Sequence, residues 1–331
     1  MNPTTRAILD LLKSQDGWVS GQEIGRGLGV SRCAISKHIG LLRSQGYSIE
    51  SVPRRGHRLR SSVDLPHEAE VEPLLETRWI GRRIVYLDEV DSTNSEAARQ
   101  ARAGCAEGLV VVADAQTAGR GRLHRQWVSP PGVNLYFSVV LRPRVAPTKI
   151  MQLSLVTGVA VHQALRDVAA TLDVRIKWPN DLLIGGRKLC GILCESEIEA
   201  DLVHQLVVGV GVNVNGRSFP LPLGETATSL RMETGDLASR PALLARVLNR
   251  FEQLYEIWCR AGDLEPFLPE LNRHSFLVGH RVSIEGPGCT FDGVSETITS
   301  DGALVVRLDS GQRRMVATGD VHVVSSQGDG V

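Results

Sequence analysis

The chain has 331 residues, 42% hydrophobic and 22% charged, with 37 basic and 37 acidic side chains. That is apolar material for the cores of two or three domains, which excludes a disordered polyelectrolyte and a small disulfide scaffold. No run reaches the roughly 18 apolar residues of a membrane span. No basic-then-apolar leader opens the chain and the six cysteines have no repeating spacing, so a reduced, cytoplasmic protein is expected.

The neutrality hides a division: residues 1–60 carry +6 and the remainder −6. A basic head on an acidic body suits a chain with one end that meets a polyanion. In the head, Ile8, Leu11 and Leu12 fall on one helical face of residues 4–14. Ser20 with Glu23 forms a capping-box pattern opening a short helix to about Leu28, and Gly29 suits a turn. Ser31 is a second N-cap, followed by the stripe Ile35, Ile39 and Leu42, with Gly46 placed as the stop. Two such helices define a helix-turn-helix, whose second helix turns Ser31, Arg32, Ser36 and Lys37 outward where bases are read. "YSIESVPRRGHRLR" predicts two short strands about a Pro53–Gly56 turn, a wing with Arg54, Arg55 and Arg58 set to meet phosphates. A helical bundle with a solvated basic face is the alternative; the wing and the charge favour DNA. Residues 61–75 are polar, acidic and aperiodic, and predict a linker.

Beyond Arg83 the pattern predicts a strand over "RIVYLDEV", a helix from Ser92 or Thr93, and strands over "GLVVVADAQ" and "VNLYFSVVLRP". An amphipathic helix follows from Thr148 to about Ala170. Gly185-Gly186 between apolar runs marks a hairpin that folds Lys188 back near Leu183. Strand "HQLVVGVGVNVN" completes an α+β arrangement. Cys190 and Cys194 resemble half a metal site, but no second pair follows, and buried thiols explain them.

"TAGRGRLHRQW" lies between two of these strands. It is neither a Walker loop nor a dinucleotide fingerprint, because the Gly-Lys-Ser/Thr and third-glycine positions are missing. Its glycines admit backbone N–H groups to an anion, and Arg120, Arg122 and Arg125 supply charge, which suits a di- or polyphosphate or a carboxylate. In "KWPND", Lys177, Asn180 and Asp181 cluster at a strand end broken by Pro179. Asp181 suits Mg²⁺ or the ribose-phosphate side of a nucleotide, and Lys188 suits charge developing on a phosphate. Together these predict nucleotide chemistry with a departing pyrophosphate.

The chain resembles the bifunctional biotin protein ligases that double as biotin operon repressors. The resemblance spans essentially all 331 residues and rests on "DSTN" (91–94), "QTAGRGRLHRQWVSP" (116–130), "KWPND" (177–181), "GRKLCGIL" (186–193), "GVGVNVN" (209–215) and the head "SGQEIGRGLGVSRCAISKHI". It implies an α+β fold: a winged helix-turn-helix over 1–62, a linker over 63–80, and a catalytic domain over 81–274. The catalytic domain is implied to be a central mixed or antiparallel sheet sandwich of the biotin/lipoate ligase type. An SH3-like barrel over 275–325 and a tail over 326–331 complete it.

The resemblance also implies chemistry. Biotin's carboxylate joins the α-phosphate of ATP with Mg²⁺, and biotin then passes to a lysine of the biotin carboxyl carrier protein of acetyl-CoA carboxylase. Ser92, Thr93, Asn94 and Gln116 are implied to contact biotin, with Gly119, Arg120, Gly121, Arg122 and Lys188. Gly191, Gly209 and Gly211 are implied to leave it room. Arg120, Arg122, Trp127, Lys177, Asn180, Asp181 and Asn213 fall on the ATP side, with Asp181 on the metal. Lys188, Arg122 and Asp181 are the implied catalytic residues. Operator DNA and a homodimer formed with biotinyl-AMP are the other implied partners. A lipoate-type ligase would lack the pairing of arginine loop and "KWPND". A non-catalytic sensor fits poorly with Lys188, Asp181 and Arg122, and a ligase whose head represses nothing is the stronger alternative.

One departure stands out: His124 occupies a position where members usually have glycine. Histidine tolerates a left-handed backbone better than most residues, so the loop's shape is expected to persist with altered closing kinetics.

Overall fold

The computed structural model describes residues 2–143, 145–199, 202–286 and 289–324; the tail expected at 326–331 lies outside them. The chain forms two compact units, Met1–Leu65 with Ala69–Pro73, and Pro66–Glu68 with Leu74–Val331.

The first unit is a winged helix: α1 (Pro3–Lys13), α2 (Gly21–Leu28), α3 (Arg32–Ser44), β1 (Ser48–Val52) and β2 (Gly56–Ser61). Its boundaries are set by side chains that satisfy otherwise unpaired N–H groups. Ser20 Oγ accepts from Glu23 N at 3.0 Å and Ser31 Oγ from Ala34 N at 3.2 Å. Gly29 ends α2 at φ 67°. Ile8, Leu12, Ile24, Ile35, Ile39 and Leu42 are buried as one core with Leu9, and Leu11 packs against it partly buried. The wing is rooted by paired hydrogen bonds between Val19 and His57. A Cβ at Gly56 would stand 2.1 Å from the Val19 carbonyl oxygen, so only glycine admits that approach.

The expected linker contains a finding. Residues Glu68–Val71 form a one-turn helix, α4, with Ala69 in the head's core. A single turn is too short to show a period, and Pro66 and Pro73 mask it. Glu70 is buried; Tyr47 Oη donates to it at 2.6 Å and Lys13 Nζ lies 2.6 Å from the same oxygen. Removing the carboxylate takes the Glu70 acceptor from the Tyr47 hydroxyl and the counter-charge from Lys13, which keeps its bond to the Ala69 carbonyl. Glu70→Ala is therefore expected to destabilise the head by about 1–3 kcal/mol, with Glu70→Gln milder. Thermal unfolding followed by the head's own transition checks this; an unchanged melting point for Glu70→Ala would refute it.

The second unit continues with β3 (Ile84–Val90), α5 (Thr93–Arg102), β4 (Val110–Gln116), β5 (Leu135–Leu141), α6 (Ile150–Val168) and β6 (Val174–Lys177). Then come β7 (Asp181–Ile184), β8 (Arg187–Glu199), β9 (Leu202–Val212), α7 (Leu223–Thr226), α8 (Leu230–Thr234), α9 (Arg240–Ala261) and α10 (Leu268–Arg273). The strands make a seven-stranded sheet ordered β3-β4-β5-β9-β8-β7-β6, parallel only between β3 and β4. Side chains alternate across it. Ile192 and Ile176 face α6, where both approach the Cβ position of Gly158 at 3.8 Å. Gly191, Gly209, Gly211 and Ser138 therefore look the other way, toward α5. The helix expected to be amphipathic is instead buried on most sides, because α9 covers the flank opposite the sheet.

The C-terminal strands β10 (Arg281–Gly286), β11 (Cys289–Ile298), β12 (Leu304–Arg307), β13 (Arg313–Val316) and β14 (Asp320–Val323) form an antiparallel sheet ordered β13-β12-β11-β10-β14. Among the described residues each edge strand has one neighbour, so the sheet does not close on itself.

Candidate functional site

On the α5 face of the large sheet a cavity of about 240 Å³ gathers residues from widely separated stretches of the chain. Ser92, Thr93, Asn94 and Gln116 line one end, and Arg120, Gly121, Arg122 and Trp127 form the roof. Lys177, Asn180, Asp181 and Lys188 line the other end, and Gly191, Gly209 and Gly211 the floor. Two of the predicted residues do not line it. Gly119 is packed into the base of the loop, where a Cβ would meet the Trp127 carbonyl oxygen at 2.5 Å. Asn213 is buried behind the wall, donating to the Lys188 carbonyl at 3.3 Å.

The polar end is a hydrogen-bonded cluster. Thr93 N and Oγ1 donate to Gln116 Oε1 at 2.9 and 3.2 Å, and Gln116 Nε2 donates to Ser129 Oγ at 2.8 Å. Ser138 Oγ lies 2.6 Å from Asn94 Oδ1 and 2.8 Å from Thr93 Oγ1. Ser92 precedes α5 without a capping bond from its side chain, which leaves the hydroxyl to the cavity.

The space at the glycines is filled by protein side chains. A Cβ on Gly209 would stand 2.0 Å from Asn94 Oδ1, and on Gly191 or Gly211 it would meet the Trp127 indole at 2.8 or 2.6 Å. The room expected for a ligand is thus first used to seat Asn94 and Trp127 against the floor.

The roof is an ordered hairpin. Gly121 N donates to Arg125 O at 2.7 Å and Trp127 N to Gly119 O at 2.9 Å. The left-handed residue at its apex is Leu123 (φ 53°), not position 124 as expected from the glycine that His124 replaces. Arg122 donates to Asn180 Oδ1 at 3.3 Å and to the Gly319 carbonyl at 3.5 Å. Arg125 pairs with Asp320. The C-terminal sheet therefore supplies part of the wall through Asp320, Val321 and His322. Nothing near Asp320 in the sequence marks that residue as more than a strand residue.

Charge in the cavity is uneven. Lys188 Nζ lies 2.8 Å from Asp181 Oδ1 and 5.3 Å from the centre of the Trp127 ring. Arg122 and Lys177 have no carboxylate ion pair among the described residues. Burial lowers the pKa of both, with Asp181 and Asp320 opposing the shift. Four cations face two carboxylates at this end, and an anion would supply the missing counter-charge.

In the head, Arg32, Ser36 and Lys37 are exposed on α3, while the Ser31 hydroxyl is engaged as the helix cap. Arg54 and Arg55 are exposed at the wing and Arg58 is half-buried. Arg55 lies 5.0 Å above the Trp18 ring. No described carboxylate pairs with Arg32, Lys37, Arg54, Arg55 or Arg58, whereas Glu50 holds Arg60. These cations are available to phosphates.

Fold and site define a mixed-sheet ligase carrying a winged helix-turn-helix head. Residues 87–213 match the biotin/lipoate A/B protein ligase family, residues 4–58 a helix-turn-helix domain, and residues 278–324 the biotin protein ligase C-terminal domain. The bifunctional ligase/repressor BirA of Bacillus spizizenii is 37% identical over 95% of this chain and 98% of its own. BirA of Escherichia coli is 32% identical over 88% of each. The Aquifex aeolicus biotin protein ligase, solved with biotin and ATP, superposes with a TM-score of 0.64 at 30% identity, over 73% of this chain and 99% of its own. The chain belongs to the biotin protein ligase family, with the amino-terminal helix-turn-helix of its bifunctional members.

Proposed function

We infer that the chain makes biotinyl-5′-AMP from biotin and ATP, transfers biotin to a lysine of a biotin carboxyl carrier protein, and represses transcription as the adenylate-bound form. The observation that carries the reading is the pairing of Lys188 with Asp181 under a roof of arginines, beside the polar cluster of Asn94 and Gln116. Biotin takes the end at Ser92, Thr93, Asn94 and Gln116, with its carboxylate directed toward Lys188. ATP takes the end at Lys177, Asn180 and Asp181.

The chemistry follows from charge. A carboxylate and an α-phosphate repel each other, and Lys188, Arg122 and Lys177 offset that repulsion while holding the two in line. The residues fit Mg²⁺: one carboxylate, Asp181, stands at the phosphate end, and this ion is commonly held by one or two carboxylates plus substrate phosphates. Asp181 would hold it, and the ion would neutralise phosphate charge. The roof then keeps water from the anhydride until an acceptor lysine enters.

Arg122→Gly removes two hydrogen bonds from the roof but none from the polar end. Adenylate release is expected to rise about 10–100-fold, the range for charged hydrogen bonds, with biotin affinity nearly unchanged. A collapse of biotin affinity with no change in release would refute this placement of Arg122.

We assign the winged helix to operator binding as a homodimer, since one such module offers a small interface. The C-terminal strands we take as the SH3-like barrel of the family, which the match over 278–324 supports. The division into 1–62, 63–80, 81–274 and 275–325 is the domain assignment we propose, modified by the docking of 69–73 on the head. No described helix is long and apolar enough to cross a membrane. Cys33, Cys105, Cys190, Cys194 and Cys259 are free thiols, and a cytoplasmic location is part of the reading we propose.

The test is a single-turnover reaction of the chain with labelled biotin, ATP and Mg²⁺, followed by a carrier domain. A retained adenylate that chases onto the carrier lysine supports the ligase. Gel shifts on DNA upstream of biotin synthesis genes, with and without the adenylate, test the repressor. Adenylate-independent or absent binding would leave a ligase alone.

A further inference from the structure

Asn94 reads the polar end of the cavity and Arg120 belongs to its roof, yet both converge on one carboxylate that does not line the cavity. Glu195, on β8, accepts from Asn94 Nδ2 at 2.7 Å and from Arg120 Nη2 at 3.3 Å through each oxygen. Asn94 is 5% exposed and has little freedom: Gly209 lies against its amide, Ser138 Oγ holds its Oδ1, and its Nδ2 also reaches the Leu193 carbonyl at 3.2 Å. Arg120 is the opposite case. It is partly exposed, and beyond Glu195 it has a contact with Ser95 Oγ at 3.0 Å. Glu195 thus connects a buried, held group to an exposed one. A ligand that draws on the Asn94 amide draws on the same group that donates to Glu195, and the hold of that carboxylate on Arg120 shifts with it.

We propose that Glu195 is a positioning residue that couples occupancy of the Asn94 end to closure of the arginine roof. It touches neither substrate, and its effect passes through Asn94 on one side and Arg120 on the other. The inference rests on the ligase reading above.

The two sides separate by substitution. Glu195→Gln keeps an oxygen for Asn94 Nδ2 but loses the charge that attracts Arg120. Adenylate release should rise about two- to fivefold, the range for a partly exposed ion pair, with the biotin dissociation constant unchanged. Glu195→Ala loses both, so biotin affinity should also fall about two- to tenfold. In an Arg120→Ala background, Glu195→Gln should add nothing to release, because the route is already cut. Biotin binding is measured by calorimetry, adenylate release by filter retention, and folding by thermal melting. Glu195→Gln, nearly isosteric, carries the test if the alanine variant unfolds.

Equal losses of biotin affinity in both variants would show a merely structural role and overturn the proposal. Wild-type retention in Glu195→Gln, or an added release in the Arg120→Ala background, would overturn the coupling while leaving the ligase intact. A wild-type chain that forms no adenylate overturns the ligase reading and this inference with it.

Discussion

Lys188→Ala is expected to slow single-turnover adenylate formation by about 10²–10³-fold while leaving the fold intact. The lysine is the one cation in the cavity paired with Asp181, at 2.8 Å, and it lies against the glycine floor between the two substrate ends. Removing it exposes the reacting carboxylate and phosphate to each other's charge and leaves Asp181 without its partner. The transfer step starts from a formed anhydride and needs less of that charge. Supplied with synthetic biotinyl-AMP, the variant should therefore biotinylate a carrier domain at a rate within about tenfold of wild type. Rapid-quench measurement of both half-reactions decides it. Equal losses in the two would assign Lys188 to binding the adenylate rather than to forming it.

Gly209→Ala should be nearly as damaging by a different route. Its Cβ would stand 2.0 Å from Asn94 Oδ1 and 2.8 Å from the amide carbon, so Asn94 must leave its seat. That breaks its contacts with Ser138, Leu193 and Glu195 together. Overpacking of this kind costs about 1–3 kcal/mol, so biotin affinity should fall roughly 10–100-fold. Gly158→Ala is the control, because its Cβ would make only ordinary contacts at 3.8 Å. A Gly209→Ala protein with native biotin affinity would show that Asn94 does not read that ligand.

Local signals made much of this legible. Ser20, Ser31 and Gly29 carried the head because caps act within four residues. Gly185-Gly186 placed Lys188 opposite Leu183, as the observed register confirms. What escaped was either too short or too distant. The turn at Glu68–Val71 has no period, and its burial depends on Tyr47 and Lys13. Asp320 and Glu195 are ordinary acidic residues in strands, and only the folded sheet brings them to Arg125 and Arg120. The three glycines that the resemblance implied do line the cavity floor, but their positions in the sequence could not tell space for a ligand from space for Asn94 and Trp127. The left-handed turn fell one residue early, at Leu123, because hydrogen bonds from Gly121 and Arg125 fix the apex.

The pairing of Arg125 with Asp320 spans 195 residues and joins segments matched by different family models. Its consequence is one of inheritance. A chimera that exchanges the carboxy-terminal sheet for a relative's would acquire that relative's latch at position 320 along with it. The timing of the roof would then follow the donor of the sheet, even with every residue of the large sheet and arginine loop left untouched.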